Sequence, residues 1–413
     1  MASSLTQRAR LLAAAAIFAP LALVGCGIGT SAPAVDNQIA SVSGQVHGGQ
    51  SAIQGAIVTL YHTSTTATAY GAGAVSIGTG TTDANGEFTI GTSATASNCP
   101  AGDQAYITAA GGYQTGQKST ENQQSLELVA LGDCNKISAS TSVIVNEVTT
   151  VVAGYALGNF ITFSTDTTNV DGLGNAVYAV SIGAPVANNA ATATPTTAAG
   201  LNHAFLNATN LVSYSTGMPN ATFSAKGGTN GEVPVPTINA LGNAMQYCVD
   251  SATGSTTGGT APSSTAIGTA SANCASFFAD TLSIKNVTPT NTLQAAMYLA
   301  RNPYTAAGTN ATSGLLSLVA SSGAAFIPAI AAVPADWSMV VYYHDGLYAP
   351  YFVALDQNDT AFAGLSTSSA STPALFGVSA YGTTVPTFAS QSSGTTTRGI
   401  APDALGNIWL ANS

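Results

Sequence analysis

The sequence predicts an α+β chain of several domains, and three observations lead there. An N-terminal stretch alternates β-branched and polar residues between turns rich in Gly and Asn. A middle stretch places apolar residues at helical spacing between long Gly/Thr/Ser loops, and a C-terminal stretch repeats itself at hairpin length. With 413 residues, 46% of them apolar, there is material for more than one core. Only 6% are charged, about a quarter of the share usual in soluble domains. A formal charge of −10 and eight scattered Lys and Arg exclude the basic stripe that nucleic-acid binding needs.

The first residues read MASSLTQRARLLAAAAIFAPLALVGC. Arg8 and Arg10 make a basic n-region, and Leu11 to Leu23 an apolar h-region too short to span a bilayer comfortably. The run closes on Leu23-Val24-Gly25-Cys26, which resembles the lipobox of bacterial lipoproteins. The resemblance implies that 1–25 is a cleaved signal peptide, that the Cys26 thiol carries a diacylglycerol, and that 26–37 is a tether. Gly27 in place of Asp implies, by likeness to Gram-negative lipoproteins, the outer membrane. Cleavage removes Arg8 and Arg10 and lowers the formal charge of −10 by two further units. Acyl chains contribute ~0.8 kcal/mol per buried methylene, so a multiply acylated Cys26 holds the chain firmly on the membrane.

An exported chain is free to form disulfides. Beyond Cys26 lie Cys99, Cys134, Cys248 and Cys274, which sequence alone allows to pair in three ways. Cys99–Cys134 and Cys248–Cys274 are favoured, because each pair then stays inside one predicted domain. Each is worth ~3–4 kcal/mol on the chain-entropy model. A zinc site would want C-x-x-C pairs, and there are none.

Residues 38–135 read as β. Val42–Val46 leads through Gly48-Gly49 to Ile53–Tyr61; Asp83-Ala84-Asn85-Gly86 turns into Glu87–Ile90; Ala105–Ala109 follows. The pattern G-x-V…I-x-G-A-x-V-x-L…T-D-x-x-G-x-F resembles the carboxypeptidase regulatory-like domain, a prealbumin-like β-sandwich grouped with carbohydrate-binding-like folds. The resemblance implies a spacer, stabiliser or adhesion module and carries no catalytic residues. Asp83, Asn85 and Glu87 are oxygen donors at alternate positions, yet they fit a hairpin turn closed by Gly86 better than a calcium loop.

From 136 to 334 the texture predicts a mostly helical domain. Val143–Leu157 is one buried helix, with Glu147 a structural capping or hydrogen-bonding acid on it. Leu201–Tyr214, Thr237–Val249, Cys274–Leu282 and Asn291–Asn302 are further helices, the third starting at Pro236-Thr237 and the fifth ending before Pro303. Between them 164–175, 184–200, 215–232 and 250–272 read as loops, the last clamped by Cys248 and Cys274. Leu315–Val333 is long enough to raise a membrane span, but Gly323, Pro328 and several serines argue against it.

Within 335–413, Val353–Ala363 aligns with Ile400–Leu410 at an offset of 47 residues. The second copy, I-A-x-D-x-x-G-N-I-W-L, is similar to the NHL and streptogramin-lyase class of propeller repeats, which implies one or two blades. A closed propeller needs about four blades, roughly 160 residues, so the repeat region is incomplete: a fragment, or strands that cap the preceding domain. The lyase's catalytic residues belong to blades absent here.

Chemistry is sparse. His47, His62, His203 and His344 stand far apart, with no metal spacing. There is no G-x-S-x-G, no S-x-x-K and no Walker G-K-[ST]. His344-Asp345 are neighbours, and on a strand adjacent side chains point to opposite faces. No cofactor is indicated. The reading is a non-enzymatic envelope or cell-surface lipoprotein that presents a binding, adhesion or scaffold surface, with a glycan or an envelope protein as partner. The alternatives are a truncated propeller lyase or hydrolase and a bare envelope spacer.

Overall fold

The computed structural model describes residues 37–38, 41–63, 68–91, 98–100, 102–118, 121–185, 200–223, 231–251, 263–303, 311–343, 350–356, 360–365, 375–379, 384–388, 397–403 and 405–412. The predicted signal segment and lipobox-like run with Cys26, and also His344 and Asp345, lie outside the described residues.

The N-terminal strands are β1 (Ser41–Gly48), β2 (Ser51–Gln54), β3 (Ile57–His62), β4 (Val75–Thr81), β5 (Glu87–Gly91), β6 (Gln104–Ala110), β7 (Leu126–Asp133) and β8 (Ser142–Val145). One antiparallel sheet runs β7-β6-β3-β4. The other centres on β1, which pairs antiparallel with β2 and β5 and parallel with β8. Between the sheets lies an apolar core that includes Val42, Leu60, Phe88, Ile90, Ile107 and Val143. Alternation in β5 is clean, Phe88 and Ile90 inward and Glu87, Thr89 and Gly91 outward, as a strand with one wet face requires. β6 and β7 are buried almost throughout because the first sheet is covered on both faces.

Its second cover is helical. Here Val143–Leu157 departs from the single helix predicted. Ser142–Val145 is a strand, and only Glu147–Leu157 (α1) is helix. Asn146 makes the break: its Oδ1 accepts from the Thr149 N–H at 3.0 Å while its own N–H donates to Thr149 Oγ1, a closed capping box. The helices after it are α2 (Gly200–Leu211), α3 (Val235–Val249), α4 (Ala272–Ala279), α5 (Thr292–Arg301) and α6 (Ala311–Ser321). Ser271 caps α4 and Asn291 caps α5, each through a side-chain oxygen accepting a first-turn N–H. Val148, Val152 and Leu157 of α1 and Leu201, Phe205 and Leu211 of α2 share a core with Leu126 and Leu128 of β7. α1 crosses α5 closely at Gly154, where a Cβ would stand 2.5 Å from that of Ala296.

β7 is an edge strand, and the helices supply what a neighbouring strand would. The Leu126 N–H donates to Thr292 Oγ1 at 2.9 Å, the Thr292 hydroxyl donates to Leu126 O at 2.7 Å, and the Leu128 N–H donates to Thr150 Oγ1 at 3.0 Å. A buried edge is thereby left without orphaned donors at these positions.

The middle region also holds strands. The stretch 164–175, expected as loop, contributes the end of β9 (Ile161–Asp166) and the turn into β10 (Val177–Ile182). The hydroxyl of Tyr106 on β6 accepts from the Ile182 N–H and donates to Val180 O, which ties this hairpin to the sheet. Among the described residues no helix is long and apolar enough to cross a membrane; α6 ends at Ser321, well inside Leu315–Val333.

At the C-terminal end, β11 (Pro350–Leu355), β12 (Ala361–Leu365), β13 (Leu375–Val378) and β14 (Thr384–Phe388) form an antiparallel meander, and β15 (Thr397–Pro402) pairs with β16 (Ile408–Asn412). The two repeat copies are the hairpins β11–β12 and β15–β16. No closed propeller or barrel forms among the described residues. The turn they share is wider than the repeat. At Asp83, Asp171 and Asp403 the chain reverses through D-x-x-G-x, with the aspartate N–H donating to the fifth residue's carbonyl and its Oδ1 accepting from the third and fifth N–H groups at 2.8–3.0 Å. Gly86, Gly174 and Gly406 take the left-handed conformation this three-residue hairpin loop needs. Asp356 and Thr360 repeat the outer pair of bonds.

Candidate functional site

Cys99 is bonded to Cys134 and Cys248 to Cys274, all four sulfurs buried. Asp83, Asn85 and Glu87 form the hairpin turn just described. His47 is half-buried, its Nε2 3.3 Å from Gln45 Oε1, and burial holds it below its ordinary pKa. His203 is half-buried on α2. His62 meets Asp103, which the sequence did not reveal: its Nδ1 is 2.7 Å from Asp103 Oδ2 and 2.7 Å from Thr63 O, and both side chains are buried. The pair is woven into the ladder next to the first disulfide, where the Cys134 N–H donates to Asp103 O.

Glu147 opens α1 and is wholly buried. Its Oε1 accepts from the Gly49 N–H at 2.9 Å, and its Oε2 finds no partner among the described residues. Glu127, the second residue of β7, is 1% exposed, and neither of its oxygens has a hydrogen-bond partner among the described residues. Asp250, at the end of α3, accepts from Gln246 Nε2 at 2.8 Å. Burial raises all three carboxyls. Asp250 adds to the effect on Glu127, and Glu127 and Asp250 add to it on Glu147, so both glutamate carboxyls are held well above the usual carboxylate range. Among the described residues no group of three or more His, Cys, Asp or Glu is placed to hold a metal ion. With no opening to solvent at Glu127 or Glu147, a substrate has no access to them.

A second polar centre is the segment Glu121-Asn122-Gln123-Gln124, buried between β6 and β7. Asn122 Nδ2 donates to Cys248 O at 2.6 Å, Gln123 Nε2 to Ala176 O at 2.6 Å, and Gln124 Nε2 to Gly268 O at 2.6 Å. Gln123 Oε1 accepts from the Gly268 N–H, and Gln124 O from the Thr292 N–H. Glu121 accepts from Asn175 Nδ2 and hydrogen-bonds Asp171; burial, then that bond and the Asp171 charge, push its carboxyl up to about 8.

The concave site lies elsewhere. α1 and α2 face β12 and β13 across a cavity of about 610 Å³, with Met339, Val341 and Tyr342 along its side. Leu201, Phe205 and Ala208 turn inward at helical spacing, which leaves Asn207 and Asn210, three residues apart on α2, to line the cavity beside Leu211. Phe223, Phe362 and Phe376 supply aromatic surface, and no described lining residue is charged. The Tyr155 hydroxyl donates to Trp337 O at 2.7 Å, and burial keeps that phenol protonated. The volume falls within the range of about 300–1,000 Å³ typical of small-molecule sites. Its lining comes from segments more than 200 residues apart in the chain, so no local pattern pointed to it.

Scanned against protein-family models, the chain matches none, and comparisons with curated proteins and with solved structures return no match.

Proposed function

We propose that this chain is a non-enzymatic lipoprotein of the bacterial envelope, exported and held in the outer membrane through an acylated Cys26. On this reading it presents a binding surface whose ligand site is the groove between α1–α2 and β12–β13. The groove carries the proposal: an uncharged, aromatic-lined concavity of about 610 Å³ is unlike a solvated surface and suits capture of a ligand. Two buried disulfides suit an oxidising compartment. The pair of facing sheets over 41–145 supports a sandwich of the carboxypeptidase regulatory-like kind, serving as the spacer between membrane and groove. The ligand is a molecule of the envelope, whether glycan, lipid or a segment of a partner protein.

Cell fractionation tests the anchor, and native mass spectrometry tests the groove. The wild-type chain should sediment with membranes and Cys26→Ser should not. The soluble variant should retain a small ligand that Ala363→Trp, which fills the groove, releases. Membrane retention of Cys26→Ser, or a folded chain that captures nothing, would defeat the proposal.

A second reading has one observation in its favour. β11 and β16 leave Val353, Leu355 and Trp409 at least 65% exposed, as blade strands without a neighbour do. In that case the chain is part of a propeller enzyme, and the coding sequence beyond codon 413 continues with further D-x-x-G-N hairpins.

A further inference from the structure

We infer that the groove takes one acyl chain of an uncharged amphiphile, with the carbonyl or hydroxyl of its head group set against Asn207 and Asn210. This rests on the groove being the ligand site and adds the class of ligand.

The lining's lack of charge is the first argument. A carboxylate, phosphate or ammonium group seated there would lose its hydration and meet no counter-charge among the described lining residues. The second argument is the scarcity and placement of polar groups. Asn207 and Asn210 stand one turn apart on α2, exposed and half-buried respectively, so their amides sit side by side and present donors and acceptors to one small polar group. Ser379 follows β13 on the facing wall, and the phenol of Tyr342 stands at the side. The Tyr155 hydroxyl has already given its proton to Trp337 O. A sugar carries a hydroxyl on nearly every carbon, and each one buried without a partner costs more than a buried methylene gains. An acyl chain brings no hydrogen-bonding group beyond its head. Third, the wall opposite α2 is one face of a sheet on which the cross-strand partners Val353, Ala363 and Phe376, and Ala361 and Val378, are all apolar. That surface is continuous enough for a flexible chain to lie along it.

The test uses the full chain carrying Cys26→Ser, so that no acyl group of its own competes, with both disulfides intact. The reporter is N-phenyl-1-naphthylamine, an uncharged dye whose emission rises on leaving water. The competitor is 1-palmitoylglycerol below its micelle concentration. Displacement of the dye by 1-palmitoylglycerol is expected. Ala363→Trp should weaken it by about tenfold or more at an unchanged urea midpoint. Asn207→Ala with Asn210→Ala should weaken 1-palmitoylglycerol by about tenfold and the dye, which brings a single N–H to the site, by much less. The asparagine pair, on the outer flank of α2, keeps the test decisive if Ala363→Trp fails to fold. Maltotetraose or an apolar peptide binding in place of 1-palmitoylglycerol, with loss in Ala363→Trp, overturns the acyl class and leaves the groove as the ligand site. Equal binding of 1-palmitoylglycerol by the parent chain and all groove variants also overturns it. A folded chain that binds no probe removes both readings.

Discussion

At Asp83 in the N-terminal sheets and at Asp403 near the C-terminus the chain reverses through the same D-x-x-G-x turn, yet Phe88, five residues after its aspartate, is 3% exposed, whereas Trp409, six after its own and so on the other face of its strand, is 65% exposed. The turn is local: one aspartate oxygen collects the N–H groups two and four residues on, and a left-handed glycine completes the reversal. Burial depends on what distant segments bring. Phe88 meets Val42, Leu60 and Ile107 from other strands. The Trp409 indole N–H instead donates to Asp403 Oδ2 at 2.9 Å, back onto its own turn. That bond and the Asn407 amide, which ranks first, hold the exposed Asp403 carboxyl at about 2. The Asp171 hairpin is a third case, packed against the chain by Glu121 and the Tyr106 hydroxyl.

The contrast is sharpest at the aromatic positions. Phe88→Ala should cost about 3–5 kcal/mol, read from the urea midpoint, and Trp409→Ala should stay within ~0.5 kcal/mol. Equal costs would show that Trp409 is packed in solution and the two hairpins are alike. Replacing Cys99 and Cys134 together by Ala should cost ~3–4 kcal/mol of global stability. Protease susceptibility of the β15–β16 hairpin should not change. A parallel rise in cleavage there would tie the two regions into one cooperative unit.

The Asp171 hairpin should respond to pH. The Glu121 carboxyl stays protonated in the folded chain up to about 8 and in the unfolded chain only to ~4.3. Between those values the folded state binds the extra proton, so this group's contribution is fully present below ~4.3, falls as pH rises and levels off once pH passes its folded value. Glu121→Gln keeps a hydrogen-bonding side chain and removes the titrating carboxyl, so it should flatten the fall of Tm between pH 5 and pH 8; an unchanged slope would remove the raised Glu121 carboxyl from the account. The smallest effect belongs to the turns themselves. Asp83→Ala should cost about 1 kcal/mol, and Asp403→Ala should loosen only its own turn. The first should appear in global unfolding, and the second only as faster amide exchange at Leu405 and Asn407.

Sequence legibility followed the same divide. Signals carried by adjacent residues could be read: Pro236 and Asn291 as helix starts, Gly86 in its turn, alternation in β5. Asn146 was missed because Val143–Leu157 is apolar on both sides of it, although N-E-V-T is a capping pattern. The repeat at 47 residues was visible, whereas the same turn at Asp83 and Asp171 would have shown that it marks hairpins in several sheets. Glu127 carried a usable signal, an acid alone within Leu126–Leu131. Nothing local joined it to Glu147 and Asp250, or His62 to Asp103, since long-range packing makes those pairs. The groove was illegible for the same reason.

The threonine covering of β7 has a consequence for synthesis. A ribosome delivers Leu126 long before Thr292, 166 residues later. Until that threonine has emerged, the strand's outer amides stay with water or with whatever other backbone comes by, and the sheet's rim is open. The earliest part of the chain is therefore finished by one of the later parts. Under the export proposed above, this order delays lasting closure until the far end of the helical region has crossed the membrane.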